Sequence, residues 1–208
     1  MTTVNIRGLL MSFLSRDAQP SRVLVLNGNP SRETLCGAMA ENIAADARRR
    51  GQTVRLVHLE DLSFDANLKQ GYRARMEWEP DLKAFADDLI WCDRLVIVHP
   101  LWWGSAPAQL KGLFDRVLLP GFGFQYIDGK PLPKPLLAGR KARIVITSDT
   151  PTIFLKWIYS NGWVKLLRRQ ILGFCGFKDL KVKYFAPVRG AKPEALAKMV
   201  EAAPGILG

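Results

Sequence analysis

The chain has 208 residues, of which 48% are hydrophobic and 24% charged, and a formal net charge of +11. This length suits one domain with a sizeable core, and no apolar run in the sequence is long enough to span a membrane. The basic residues are scattered, which argues against nucleic-acid binding. The positive field is compatible with a phosphorylated cofactor such as NADPH, and the alternatives are a solvated surface and a peripheral membrane contact.

The spacing of the three cysteines narrows the class of protein further. Cys36, Cys92 and Cys175 lie far apart, so they fit neither a zinc site nor a disulfide framework. We expect no metal, and reduced, buried thiols in a cytoplasmic protein.

Residues 1–20 combine two arginines with a short apolar stretch and no convincing cleavage site. We expect a disordered tail there, with a targeting peptide as the alternative, followed by a single domain over 21–208.

Strands and helices are predicted to alternate along the chain. Short apolar runs that stop at turn residues predict buried strands, and apolar stripes at helical spacing predict helices. In chain order these are a strand at 22–26, a helix at 35–50, a strand at 53–59, a helix at 81–91, a strand at 95–98, a helix at 108–119, a strand at 142–147, a divided or kinked helix at 154–171, a strand at 180–185 and a helix at 193–203. This alternation predicts an α/β fold with a doubly wound parallel sheet.

Two segments fall outside the alternation. Residues 60–80 are polar and weakly periodic, which predicts a long loop that serves as a lid or an interface. Residues 122–132 form a predicted excursion with a turn at Asp128-Gly129.

The turn after the strand at 95–98 is the most informative part of the sequence. It places two indoles and two prolines at the carboxyl edge of a buried strand, where open α/β sheets bind ligands. Pro100 and Pro107 fix the backbone and Gly104 permits a close approach, so the loop suits a flat ring. The alternative is a rigid surface loop with a buried pair, Trp102 and Trp103.

The turn after the first strand predicts an anion site. Residues 27–36 lead from a buried strand into a helix, so free backbone donors and the positive end of the helix dipole meet there. The hydroxyls of Ser31 and Thr34 would assist. The alternative is plain helix capping by Ser31 or Thr34.

The segment after the central strand resembles the signature of the NAD(P)H:quinone oxidoreductases, flavoproteins of flavodoxin-like fold. The matching positions are Pro100-Leu101, Trp103, Gly104, Pro107-Ala108, Leu110-Lys111-Gly112 and Phe114-Asp115-Arg116-Val117. So many matches in one window form a specific signal, and the likeness extends from about Val23 to about Val188. The resemblance implies a five-stranded sheet in the order 2-1-3-4-5, a bound flavin and a homodimer.

The resemblance also assigns three loops to the flavin. They are the phosphate loop with Asn29, Ser31, Thr34, Leu35 and Cys36, the ring loop with Pro100, Leu101, Trp102, Trp103 and Gly104, and a third loop with Thr147, Ser148, Asp149 and Thr150. Asn29 and Cys36 depart from residues frequent in the family, which favours FMN, with FAD as the alternative. Asp149 stands where members often have glycine. We expect its carboxylate to point away from the ring or to cap the next helix, and a bland strand-to-helix turn is the alternative.

The activity implied by the resemblance is two-electron reduction of quinones or similar aromatic acceptors, with NADPH or NADH as donor and one pocket used in turn by both substrates. Trp103, Phe122 and Phe124, with Trp102, are the expected pocket walls. Tyr159 is the candidate for proton transfer.

Both histidines lie on predicted strands, and we expect His99 to be packed or hydrogen-bonded rather than to act as a base. Three alternative functions stay open: a one-electron carrier like flavodoxin, a regulatory flavoprotein subunit of a membrane transport system, and a scaffold that has lost its flavin.

Overall fold

The computed structural model describes residues 21–208, and the tail predicted at 1–20 lies outside them. The strands are β1 (Arg22–Asn27), β2 (Thr53–His58), β3 (Arg94–Pro100), β4 (Phe124–Gln125), β5 (Lys134–Pro135), β6 (Lys141–Thr147) and β7 (Lys178–Phe185). The helices are α1 (Leu35–Arg49), α2 (Pro80–Trp91), α3 (Ala108–Val117), α4 (Thr152–Trp157), α5 (Gly162–Leu166) and α6 (Pro193–Ala202), with short 3₁₀ or π turns at Leu59–Asp61, Leu167–Ile171 and Ala203–Leu207.

Five strands form a parallel sheet in the order β2-β1-β3-β6-β7. In terms of the five long strands this is 2-1-3-4-5, so the predicted fold class and strand order are confirmed. The inner strands β1, β3 and β6 are buried along nearly their whole length. Helices cover both faces of the sheet, which explains why these strands read as continuous apolar runs rather than as alternating ones.

Alternate residues of β1 point into two separate cores. Val23 and Val25 pack with α1, the end of the chain and the same face of β3, whereas Leu24 and Leu26 pack with α2 and α3 on the other face. The period of two along a strand produces this division. The three cysteines are buried as free thiols, as predicted.

The segment predicted as a divided helix at 154–171 consists of α4, α5 and one π turn. The break falls at Asn161, which adopts a left-handed conformation with φ 54°. The strand predicted at 53–59 ends at His58 because Leu59 begins a 3₁₀ turn. The excursion after α3 contains the small β4–β5 hairpin, with Gly129 at φ 72° in its turn.

The loop between β2 and α2 is held by one buried guanidinium. Arg116 of α3 is fully buried and donates to the carbonyl of Asp65, to the carbonyl of Glu77 at 3.0 Å and to the carboxylate of Glu79 at 2.8 and 3.1 Å. This contact with Arg116 lowers the pKa of the Glu79 carboxyl. The loop is therefore anchored to the domain at both of its ends.

Candidate functional site

Three loops meet at the carboxyl edge of the sheet, and Thr147 joins them. Its hydroxyl shares a hydrogen bond of 3.3 Å with the thiol of Cys36 at the start of α1. Its carbonyl accepts a hydrogen bond of 2.8 Å from the amide of Leu101, which follows β3. The phosphate loop, the ring loop and the third loop predicted from the sequence are therefore neighbours in space.

The turn after β1 caps α1 and leaves donors free. Thr34 is the N-cap, and its hydroxyl accepts from the Gly37 amide at 3.3 Å, so the predicted capping by Thr34 is confirmed. Among residues 21–208, no protein group accepts from the amides of Glu33, Leu35 and Cys36. The first turn of α1 also carries no acidic side chain. Capping and anion binding are thus compatible here.

The loop between β1 and α1 is ordered by its own polar side chains. The Asn29 side chain accepts from the amide of Ser31 at 3.0 Å, while the side chain of Ser31 is exposed. The amide of Arg32 donates to the carboxylate of Glu60, so this amide is not available to a ligand. The loop is thereby tied to the turn that follows β2.

The loop after β3 is a tight two-residue turn. Trp102 and Ser105 exchange two backbone hydrogen bonds, each of 2.9 Å. Trp103 and Gly104 between them both have positive φ angles, 51° and 75°. A bulky residue is uncommon in this conformation, and here it directs the Trp103 indole fully into solvent. The alternative of a buried tryptophan pair is wrong, since Trp102 is also about half exposed.

A cleft of about 520 Å³ opens beside this turn. The ring loop contributes Leu101, Trp103 and Gly104, and the third loop contributes Ser148 and Thr150. The opposite side is formed by the segment from α4 to α5 and by β7, through Leu155, Tyr159, Asn161, Gly162, Trp163 and Tyr184. Tyr159 therefore lies where the sequence predicted it, at the candidate pocket.

Phe122 and Phe124 lie away from this cleft. Phe122 stacks edge-on against Trp78, with ring centroids 5.1 Å apart, and lines a smaller cleft of about 150 Å³. Phe124 stacks against Phe174 at 4.9 Å and borders a third cleft of about 210 Å³ with Tyr72. Both belong to the excursion that packs on the loop before α2, which is why the prediction that they wall the pocket fails within this chain. Trp102 is likewise not among the residues that line the main cleft.

In the third loop the side chain of Ser148 is buried and that of Asp149 is exposed to solvent. Ser148 is buried and its hydroxyl accepts from the Thr150 amide at 3.1 Å. Asp149 is exposed, in line with the prediction that it points away. The other alternative, that Asp149 caps the next helix, is not found, because the N-cap of α4 is Pro151 and no side chain makes a capping bond there.

His99 is buried behind the cleft and holds Trp163. The indole N–H of Trp163 donates to His99 Nε2 at 3.1 Å, and His99 Nδ1 donates to the carbonyl of Pro100 at 2.8 Å. Burial lowers the pKa of His99 to about 4, so the ring is neutral near pH 7. With both nitrogens engaged, His99 is a packed, hydrogen-bonded residue, as expected, and not a base.

The sequence did not point to Asn161, Trp163 or Tyr184 as site residues. The Tyr184 hydroxyl donates to Oδ1 of Asn161, and both residues line the cleft. Burial raises the pKa of the Tyr184 hydroxyl, so it stays protonated as a donor. The available signals were the Asn161-Gly162 turn pair and the position of Tyr184 near the carboxyl end of the last strand.

The site can hold a ligand with an anionic tail and a flat ring. The free amides at the start of α1 suit a phosphate, and the aromatic cleft has the size of a typical cofactor or substrate pocket. Within residues 21–208 no group of three side chains is placed to hold a metal ion. The same part of the chain contains no helix long and apolar enough to cross a membrane.

Comparison with known proteins places these features in context. A family model described as flavodoxin-like fold matches residues 21–204. The FMN-dependent NADH:quinone oxidoreductase of Cereibacter sphaeroides is 36% identical over 88 residues, which cover 42% of this chain and 42% of that protein. The NAD(P)H oxidoreductase YcaK of Escherichia coli, itself named as uncharacterised, is 30% identical over 171 residues, or 78% of this chain and 81% of its own length.

Among solved structures, the NAD(P)H:quinone oxidoreductase from Methanothermobacter marburgensis superposes with a TM-score of 0.68 at 21% identity, covering 90% of this chain and 99% of that one. At this identity the likeness shows a shared fold.

Proposed function

This chain belongs to the flavodoxin-like fold family, and from that premise we propose that it is a flavin-dependent NAD(P)H:quinone oxidoreductase. The observation that carries the proposal is the aromatic cleft between the ring loop and the third loop. The free amides at the start of α1 lie at the same edge of the sheet, where Cys36 contacts Thr147 of the third loop, and no residue of the phosphate loop lines the cleft itself. The names of the relatives support the same chemistry, although the first of them is matched over 42% of its length.

FMN is the proposed cofactor. Its phosphate would accept from the amides of Glu33, Leu35 and Cys36, and its ring would lie against Leu101 and Gly104. Gly104 has open space around the position of a Cβ, so a ring can approach the backbone there. When bound, the flavin supplies the redox chemistry, accepting two electrons from the nicotinamide and passing them to the acceptor. FAD stays the alternative cofactor.

The side chains of the cleft would bind and orient the acceptor. Trp103 offers a large apolar face, and the Asn161 amide N–H groups, held in place by Tyr184, are suited to a carbonyl oxygen. Conversion of a quinone to its hydroquinone also needs protons. The Tyr159 hydroxyl, which lines the cleft and is reached by solvent, is the proposed donor.

One cleft would serve the nicotinamide donor and the quinone in turn. The donor is NADPH or NADH, and the net charge of +11 favours the extra phosphate of NADPH through long-range attraction. Because the two substrates use the same place, the donor product leaves before the quinone enters, which is a ping-pong mechanism. A reducing compartment such as the cytoplasm suits three cysteines that are free thiols.

We also propose a homodimer that uses the surface around the loop before α2. Tyr72 and Tyr126 are both largely exposed and border the same cleft of about 210 Å³. Exposed aromatic side chains beside a cavity are typical of interface anchors. Light scattering of the chain with Tyr72→Ser and Tyr126→Ser replaced together should give a monomer where the unaltered chain gives a dimer.

Steady-state kinetics with FMN, NADPH and menadione tests the proposed function. Double-reciprocal plots should be parallel, and Tyr159→Phe should lower kcat about tenfold or more while leaving NADPH binding nearly unchanged. Lys198→Glu, on the exposed face of α6, is the control and should leave kcat unaltered. Intersecting lines would contradict the shared cleft, and transfer of electrons to one-electron acceptors alone would favour a carrier like flavodoxin.

A further inference from the structure

The helix beside the cleft is exposed on nearly every side. Of the six residues of α4 only Leu155 is buried, whereas Ile153 is 63% and Trp157 80% exposed. Phe154 and Ile158 extend the same apolar surface. We call these four side chains, Ile153, Phe154, Trp157 and Ile158, the α4 face. Large apolar side chains gathered in this way are unusual on a surface that meets only water.

The stretch of sequence that contains the α4 face is basic. Between Asp149 and Asp179 the sequence contains no acidic residue. The basic residues of that interval are all exposed, but Lys178 pairs with Lys141 at the opposite edge of the sheet, and Arg168 contacts Leu180 near the start of β7. Lys156 and Lys165 are therefore the basic residues that belong with the α4 face. Lys156 lies within α4 itself and Lys165 within α5. The α4 face therefore combines an indole and branched aliphatic side chains with two exposed lysines, and the nearest carboxylate in the sequence is Asp149, before the helix.

This combination fits a membrane interface better than a second protein chain. Tryptophan and aliphatic side chains enter the boundary between headgroups and acyl chains, while lysines and arginines attract anionic headgroups. A second copy related by two-fold symmetry would bring two copies of this basic segment into one interface. We propose that the α4 face docks the protein onto the surface of a bilayer that contains anionic lipid.

Docking in this way would hold α4, one wall of the cleft, at the lipid surface. Leu155 and Tyr159 line the cleft, whereas Ile153 and Trp157 lie on the other side of the helix and do not. Acceptors with apolar tails, which concentrate in the bilayer, would then be close to the cleft. This consequence rests on the proposed function, whereas membrane binding itself does not.

The test is co-sedimentation of the full chain with lipid vesicles, without cofactor or substrate. One set of vesicles is phosphatidylcholine alone, and in the other about a third of the lipid is phosphatidylglycerol. Two double variants probe the α4 face: Ile153→Ser with Trp157→Ser, and Lys156→Glu with Lys165→Glu. Their matched controls are Ile90→Ser with Leu132→Ser, which are exposed apolar residues elsewhere, and Lys130→Glu with Lys198→Glu, which change the net charge equally.

We expect binding to the anionic vesicles, little binding to phosphatidylcholine, and a loss of about tenfold or more in each α4-face variant but not in its control. Equal losses in the controls would show a diffuse charge effect and overturn the proposal. So would the absence of binding at low salt. Light scattering adds a third check: if Ile153→Ser with Trp157→Ser turns a dimer into a monomer, a second copy covers the α4 face and the proposal is wrong.

The vesicle-binding test can succeed or fail independently of the test of the proposed function. Menadione reduction in lipid-free buffer should be unchanged in Ile153→Ser with Trp157→Ser, because neither residue lines the cleft. A chain that binds anionic vesicles but reduces no quinone would refute the proposed function and leave the docking surface standing.

Discussion

The indole N–H of Trp163 donates a 3.1 Å hydrogen bond to Nε2 of the buried His99. Trp163 lines the cleft and His99 ends the central strand, so this contact fixes an aromatic wall of the site to the sheet. The indole can only donate, so His99 must accept at Nε2 and carry its proton on Nδ1, which donates to Pro100. A protonated His99 would lose the indole contact.

His99 makes the fold sensitive to acid. Its pKa is lowered to about 4 in the folded chain, from an ordinary value of 6.5. Between these two pH values the unfolded chain binds a proton at His99 that the folded chain does not bind. The contribution of the neutral His99 to the free energy of unfolding is therefore fully present above pH 6.5 and is lost as the pH falls toward 4. The loss is on the order of 3 kcal/mol. We expect His99→Asn to be less stable at pH 7 and to show a shallower decline of its urea midpoint between pH 6.5 and 4.5. An equally steep decline in the variant would contradict this account of His99.

Thr34 offers a way to test the anion site without damaging the helix. Aspartate is as good an N-cap as threonine, so Thr34→Asp should preserve the stability of α1, but its charge would repel a phosphate at the same amides. Titrations with FMN and with riboflavin, which lacks the phosphate, should show FMN affinity falling about tenfold and riboflavin affinity unchanged. Thr34→Ser is the control. A parallel loss for both ligands would mean that the phosphate binds elsewhere.

Arg116 should govern the order of the loop before α2. Arg116→Met removes the donors to Glu79 and to two loop carbonyls, and we expect a loss of stability of about 2–3 kcal/mol. Trypsin should then cut faster after Arg73 and Arg75. Arg143→Met breaks another buried contact, with Asp179, and serves as the control because it is remote from this loop. If both variants are cut equally fast at Arg73, the effect is general destabilisation.

Two glycines on helices should respond in opposite ways to alanine. A Cβ at Gly112 of α3 would lie 2.7 Å from the backbone oxygen of Ala66, so Gly112→Ala must push the loop away and should cost about 1–3 kcal/mol. At Gly162, the first residue of α5, a Cβ would meet nothing within 4 Å, and alanine should add about 0.5 kcal/mol. Thermal unfolding of both variants checks the prediction, and a stabilised Gly112→Ala would show that this approach of α3 to the loop is wrong.

The sequence predicted the sheet well because strands that are buried on both faces have nearly uninterrupted apolar sequences. β1, β3 and β6 are all visible in this way, and the turns that follow them mark the edge where the site lies. The resemblance added the strand order. Thr34 as a cap follows from a local pattern, whereas Tyr159 as a site residue came from the resemblance.

Contacts between distant elements could not be predicted in the same way. The bond from Tyr184 to Asn161 joins β7 to a turn between two helices, and the positive φ of Trp103 decides that its indole is exposed. Phe122 and Phe124 were misplaced because their pattern shows that they are apolar but not which cavity their excursion approaches. Packing of elements remote in sequence sets the first and the last of these outcomes, and the conformation of one tight turn sets the exposure of Trp103.

Reconstitution with FMN tests the central claim most directly. The full chain, incubated with excess FMN and passed through a desalting column, should retain about one flavin per chain; NADPH or NADH should bleach its visible absorption, and menadione should restore it. A chain that elutes colourless, or whose bound FMN is left oxidised by both nicotinamides, would contradict the account.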